Sequence, residues 1–327
     1  MAALGIGAVA IAPAEVVAIL VSRIGLDLPV EFEARQETVL AAIRLPRVLA
    51  TAVVGAAWAG AGVAMQGLYR TSLADPALLG IGSGAALGAS IGVSIAAGAA
   101  VLLDGSGVAL VILAGVVGAS LAAVIVTRLA TVGGAVIVAR MLLVGIALTA
   151  FFGALTAVVL AASRDPALGS VAFWTLGSFS GIVGLDALAA ALVTLPALAA
   201  LVAIGPRLDT LALGEREAGH LGIDVRRLTV VTVSIFAVLT GLAVAVAGVI
   251  AFVGLIAPSL ARGWLGPSHR GVAIGAALLG ATLLVLADVL ARSLFSPIEV
   301  GVGVVTALVG APFFLWLLLR DRTVLAR

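Results

Sequence analysis

Few residues in this chain could do chemistry, and their placing narrows what that chemistry is. Arg44 and Arg47 stand three apart in AAIRLPRVLA, where a long apolar run begins. Residues three apart share a helix face, so two guanidinium groups sit together at a membrane edge, where charge is costly. Asp288 is the one acid deep in an apolar run, LLVLADVLARS. Such an acid is a candidate proton relay. A lone acid makes a poor relay, however, and Arg292, one turn later, offers it an i,i+4 partner, so pairing is the expected role. His220 and His269 are the only histidines, both in polar segments, and cysteine is absent. The apolar interior therefore has almost nothing to ligate a transition metal, and cysteine-held zinc or iron–sulfur clusters are excluded. A metal moved by this chain would travel already wrapped in a chelator. GIGSGA at Gly80–Ala85 imitates a dinucleotide fingerprint. It lies in an apolar run without the βαβ setting, and the next acid, Asp104, falls in an outside loop, so close helix packing explains its glycines better. Ser83 has no histidine nearby to act as a nucleophile's base, and Trp58, mid-run, is expected to pack in the core.

All 18 basic residues are arginine. A phosphate-binding loop of the form G-x-x-x-x-G-K-[ST] needs lysine, so any ATP that drives this protein is hydrolysed by another chain. No cofactor is expected in this chain. The formal charge of +2 gives no reason to expect a nucleic-acid partner. The composition is 63% hydrophobic and 10% charged, against about 45–50% and about 25% for soluble domains. This is the composition of an integral membrane protein embedded in lipid. The 40 glycines suit helices that must pack through small residues, because lipid gives them no hydrophobic reason to associate.

The elements that position these residues are apolar runs at roughly 1–11, 46–67, 78–101, 107–127, 141–162, 184–204, 228–250, 251–262, 271–291 and 300–319. Most approach the roughly 20 residues a spanning helix needs. The pattern predicts an all-α polytopic fold with ten crossings. The first is truncated, as if the chain begins partway into it, and Pro13 follows. Runs 228–250 and 251–262 are joined by a tight turn near Gly248. Residues 1–327 form one transmembrane domain. With 12–45 outside, twelve arginines fall inside and six outside. That agrees with the positive-inside rule and puts both termini of the full-length chain in the cytoplasm. It also leaves Arg44, Arg47 and Arg292 outside, against the rule, so they need another purpose. Pro46 suits a helix's first turn and would fix where the arginine pair points. Inside, the polar loop 205–227 carries Leu213, Ala218 and Leu221 as a small apolar face between Gly214 and Gly222. It reads as a short glycine-capped amphipathic helix or as a plain solvated connector.

Long stretches carry a family resemblance. They are RLPRVLA with GAAWAGAGVAMQGLYRTSLADPALLGIGSGAALGA in 44–89, ARMLLVGIAL at 139–148, FWTLGSFSG at 173–181, LALGEREAGHLGID at 211–224, AGVIAFVGLIAPSLAR at 247–262 and LADVLARSLFSPIEVGVGVVTALVGAPFFLWLLLR at 286–320. Taken in this order they resemble the permease subunit of type II ABC importers, the group that takes up iron–siderophore complexes, haem and vitamin B12. The resemblance implies ten transmembrane helices and a homodimer with the pathway on its two-fold axis. It also implies two ATPase subunits inside, which bind ATP and magnesium, and one soluble binding protein outside, at a bacterial inner membrane. Leu213, Gly214, Glu215, Ala218, Leu221 and Gly222 match the coupling-helix pattern L-G-E-x-x-A-x-x-L-G, and Glu217 and His220 lie within it. Thr71 and Leu73 match the loop near the cytoplasmic gate, and Val138 and Ala139 a second gate position. The family often has Asn-Pro at Thr71-Ser72, hydroxyl residues at Val138-Ala139, and histidine at Ser259. Arg44, Arg47 and Arg292 match a ring that docks the binding protein. The stretch MQGLYRTSLADPALLG is closest in look to haem permeases, with ferric-siderophore or cobalamin transport as alternatives. An ion-coupled secondary transporter, the reading from a different class, would need intramembrane charges beyond Asp288.

Overall fold

The computed structural model describes residues 2–5, 11–23, 30–98, 107–132, 135–162, 176–294 and 299–320. The helices are α1 (Ala2–Gly5), α2 (Pro13–Ser22), α3 (Ala34–Thr38), α4 (Leu45–Tyr69), α5 (Ile81–Gly98), α6 (Gly107–Ala130), α7 (Val138–Ala162), α8 (Gly184–Leu211), α9 (Glu215–His220), α10 (Val225–Ala247), α11 (Val253–Leu265), α12 (His269–Ser293) and α13 (Val302–Arg320). A two-residue antiparallel ribbon, β1 (Thr131–Val132) and β2 (Ala135–Val136), pairs Thr131 with Val136 and turns the chain from α6 into α7.

The core forms around α4, which packs against α8, α10, α11 and α12. Small residues allow this. A Cβ on Gly62 would lie 1.9 Å from the carbonyl oxygen of Gly254 in α11, and one on Gly55 would lie 2.3 Å from that of Gly280 in α12. In lipid, such close contact replaces the hydrophobic drive that water would supply. Trp58 is fully buried in the same core, as expected for packing.

Nine of the ten apolar runs form α4, α5, α6, α7, α8, α10, α11, α12 and α13 in turn. Helix length and apolarity confirm fewer than ten crossings. Among the described residues, seven helical segments are long and apolar enough to span a membrane: Ala34–Tyr69, α6, α7, α8, α10, α12 and Val302–Leu319. The 13-residue α11 is about 20 Å long, short of a hydrocarbon core of roughly 30 Å. It is reached through the expected turn, with φ of 74° at Gly248 and 69° at Phe252. Loop residues seal this turn. Ser178 N–H donates to the Ala247 carbonyl at 2.9 Å, and Val302 N–H donates to that of Gly177 at 2.9 Å.

The start of the chain also differs from the sequence expectation. Pro13 opens a helix rather than ending one, since its missing N–H costs nothing in a first turn. Part of the segment expected as an outside loop is therefore the apolar α2. Its Val16 and Ile19 bury against Leu4, Ile11 and Leu40 in a second, smaller core.

Candidate functional site

Pro46 stands in the first turn of α4, as expected, but a helical course precedes it. A π-helical turn, Val39–Arg44, joins α3 to α4, and the Leu45 N–H donates to the Leu40 carbonyl. A wide turn of this kind accommodates a proline that cannot donate to its own i−4 carbonyl. It also turns Arg44 and Arg47 inward, where both are buried. Arg47 Nη2 donates to Asp288 Oδ1 at 2.9 Å, Nε donates to the same oxygen at 3.1 Å, and Nη1 donates to Glu299 Oε1 at 3.1 Å. Glu299 is brought there by the Val300 N–H, which donates to the Ala291 carbonyl of α12 at 3.3 Å. Arg292 Nε lies 3.7 Å from Asp288 Oδ2, close enough for ionic attraction but too far for a hydrogen bond. Asp288 is thus paired, as expected, but chiefly with Arg47 and only secondarily with Arg292.

Arg44 Nη1 donates to the Leu4 and Gly5 carbonyls at 2.7 and 3.1 Å, and Arg292 Nη2 donates to the Ala3 carbonyl. These two arginines cap the carbonyl end of α1. The sequence reading offered Arg44, Arg47 and Arg292 as outward-facing cations. The structure brings all three together but gives each an internal partner, because a buried carboxylate and a helix end both need cationic donors. Glu299, half exposed, is the cluster's open member. Sequence reasoning missed it, and no local pattern marks it.

The other end of α4 leads into the segment expected to lie near a gate, called the gate segment below. Arg70 adopts a left-handed conformation, φ 53°, and ends the helix. Gln66 Nε2 then donates to the Ala74 and Gly254 carbonyls at 3.2 and 3.1 Å, and its Oε1 accepts from Arg262 Nη1. One amide thereby ties the gate loop to α11. Thr71 is half-buried, its Oγ1 accepting from the Leu73 N–H at 3.3 Å, and Leu73 is fully buried. Asp75 Oδ1 accepts the Ala77 and Leu78 N–H groups at 2.9 and 3.3 Å, which starts the turn into α5, while its Oδ2 is buried without a partner. Burial pushes the Asp75 carboxyl up to about 6, against the pull of those two backbone donors. Val138 and Ala139 stand at the start of α7, half-buried and exposed respectively. Further along α7, a Cβ on Gly145 would meet the Leu78 carbonyl oxygen at 2.8 Å, so α7 packs closely on the turn into α5.

The polar loop contains a real helix, α9. Gly214, φ 130°, precedes it, and Gly222, φ 83°, follows it. The Ile223 N–H returns to the Ala218 carbonyl at 2.9 Å, which closes the helix end. Glu215, Glu217, His220, Leu221 and Gly222 are exposed. The expected apolar face is divided, however. Ala218 is fully buried against the protein, whereas Leu213 and Leu221 are 67% and 64% exposed. Leu213 and Leu221 lie outside the six helical residues, so helical spacing does not hold them on the face of Ala218. Glu215 lies 3.8 Å from Arg70, so α9 touches the gate segment directly. Among the described residues, no three His, Asp or Glu side chains converge as a metal site.

Residues 1–320 match the model of the FecCD transport family. The chain is 41% identical over 280 residues to the hemin transport system permease protein HmuU of Yersinia pestis, covering 86% of this chain and 83% of that one. It is 37% identical over 279 residues to the vitamin B12 import system permease protein BtuC of Vibrio cholerae, covering 85% and 82%. A solved structure titled as an inward-facing conformation of a metal-chelate type ABC transporter superposes with a TM-score of 0.74 at 29% identity, covering 93% of this chain and 96% of that one. With nearly its whole length accounted for, the chain belongs to the FecCD family, the permeases of type II ABC importers.

Proposed function

We propose that this chain is the membrane-spanning subunit of an ATP-driven importer that passes haem from a soluble binding protein to the bacterial cytoplasm. The carrying observation is the 41% identity to a hemin permease. An interior lined by small and aliphatic residues supports it, since such a wall suits a flat apolar macrocycle whose iron is already ligated. The chain works as a homodimer with two ATPase subunits in an inner membrane, with ten crossings and with α9 on the cytoplasmic side. Leu213, Gly214, Glu215, Glu217, Ala218, His220, Leu221 and Gly222 form the coupling element, and Thr71, Leu73, Val138 and Ala139 line the gate. Leu308 and Val309 on α13, 72% and 61% exposed, offer an apolar face to a second copy. The binding protein docks at the Arg44, Arg47 and Arg292 end, where one of its carboxylates exchanges with Glu299 on Arg47.

A cobalamin importer is the second reading, favoured by the 37% identity to a vitamin B12 permease. The deciding experiment reconstitutes the complex and measures ATPase stimulation by binding protein loaded with haem, a ferric siderophore or cobalamin. Haem is expected to stimulate most. Stimulation by cobalamin alone would overturn the haem assignment, and ATP hydrolysis by the isolated chain would overturn the transporter reading itself.

A further inference from the structure

A cleft of about 370 Å3 opens between the end of α8 and the start of α10, sharing only Gly222 with the parts used above. Arg207, Arg227 and Asp224 form its polar wall, and Ile204, Leu228 and Val231 its apolar wall. Both arginines are exposed, and among the described residues neither guanidinium has an ion-pair or hydrogen-bond partner. Asp224 is engaged at the helix start, where its Oδ1 accepts the Arg227 N–H at 2.9 Å. Two cations therefore face the cleft against one carboxylate, and the positive end of the α10 dipole adds to them. α8 and α10 are both long and apolar enough to cross a membrane. The cleft thus lies where two spans leave the hydrocarbon, at the depth of lipid headgroups.

We propose that this cleft binds an anionic phospholipid, with Arg207 and Arg227 on its phosphate and an acyl chain along Ile204, Leu228 and Val231. Guanidinium groups engage phosphate oxygens two at a time, and basic pockets between membrane helices take anionic headgroups. A carboxylate from a protein partner would satisfy the arginines and leave the aliphatic wall at membrane depth without a match.

The intact chain is placed in phosphatidylcholine nanodiscs with a minor share of phosphatidylglycerol, and retained lipid is counted by native mass spectrometry. Arg207→Gln/Arg227→Gln is expected to hold about 10- to 30-fold less phosphatidylglycerol, since each basic residue near an anionic headgroup carries roughly a fivefold change in binding. Phosphatidylcholine is expected to be unaffected, as is the variant's melting temperature. Arg207→Lys/Arg227→Lys keeps the charge and loses the planar fork, so intermediate retention is expected. Equal retention by all three proteins would overturn the proposal. Displacement of the lipid by millimolar inorganic phosphate would reassign the cleft to a soluble anion. Loss of ATPase-subunit binding with unchanged lipid would reassign it to a protein groove. Retention does not depend on which leaflet holds the cleft or on what the permease carries, so failure here leaves the transport reading standing.

Discussion

At the start of α4, Arg47 lies buried between Asp288 and Glu299, held by contacts of 2.9–3.1 Å. At its end, Arg70 meets Glu215 at 3.8 Å with both side chains at least a third exposed. The first group cross-links α4, α12 and the segment leading into α13, and its Arg47–Asp288 pair is shielded from solvent. The second joins the gate segment to α9 across the surface, where an ion pair is worth about 0–1 kcal/mol and can part at little cost. Charge is therefore mostly buried at one end of α4 and exposed at the other.

The largest effect tests the buried end. Arg47→Ala would leave Asp288 buried without its chief partner, which typically costs about 3–5 kcal/mol. Unfolding in mixed micelles is expected to show that loss. Arg47→Met/Asp288→Leu is expected to recover most of it, because it removes both charges. A loss under about 1 kcal/mol in the single variant would mean that water or Arg292 already solvates Asp288, and the contrast between the ends would fail.

Gln66 shows that the contrast is not absolute, since a buried polar link also exists near the gate. Gln66→Leu leaves Arg262 and two carbonyls without their amide, a cost of about 1–3 kcal/mol. Release of the gate loop is expected to raise uncoupled ATPase in the assembled complex. Unchanged stability together with unchanged coupling would reduce the amide to packing.

Much of this was legible in the sequence, and the misses have a common cause. Apolar length alone located nine helices, and the two glycines flanking GEREAGHLG bracketed α9 because left-handed positions favour glycine. Arg44, Arg47 and Arg292 come together as the sequence suggested, but with internal partners that the sequence did not reveal. Their partners stand 241 and 252 residues away for Arg47, and no local spacing encodes such a contact. Pro46 lies in the first turn of α4, as its rule predicts, but the rule does not show what precedes it. Its own rule describes a helix start, while a π turn just before it lets the helix continue from Ala34. The burial of Ala218 was likewise unreadable, since three apolar residues at uneven spacing define no single face until a neighbour packs on one of them.

A smaller effect is set by pH. Asp75 ionises at about 6 in the fold and near 3.9 when unfolded. Between those values the folded chain holds the extra proton, so stability falls as pH rises through 6, and the cost of a buried carboxylate is fully present above it. Between pH 5 and 8 the wild type is expected to lose about 1–2 kcal/mol more than Asp75→Asn. Parallel pH profiles for the two proteins would mean that Oδ2 is solvated when the gate moves.

The smallest effect on stability belongs to α9, where the effect on function should be large. Leu213 and Leu221 are 67% and 64% exposed, and nothing in the fold needs their side chains. Leu213→Asp/Leu221→Asp should therefore change unfolding by no more than about 0.5 kcal/mol. Two exposed leucines bracketing a six-residue helix that also touches Arg70 are what a partner groove would grip. Co-purification with the ATPase subunit is expected to drop sharply, and ATP hydrolysis is expected to lose its response to loaded binding protein. Ala218→Arg is a poorer test, because that side chain faces the permease and its bulk would distort α9 itself. Arg70→Ala separates grip from transmission: assembly should persist with the α9–gate contact cut, and stimulated hydrolysis should weaken without disappearing. If the double leucine variant assembles and responds normally, α9 is only a connector, and exposed charge at this end marks solvent rather than a partner.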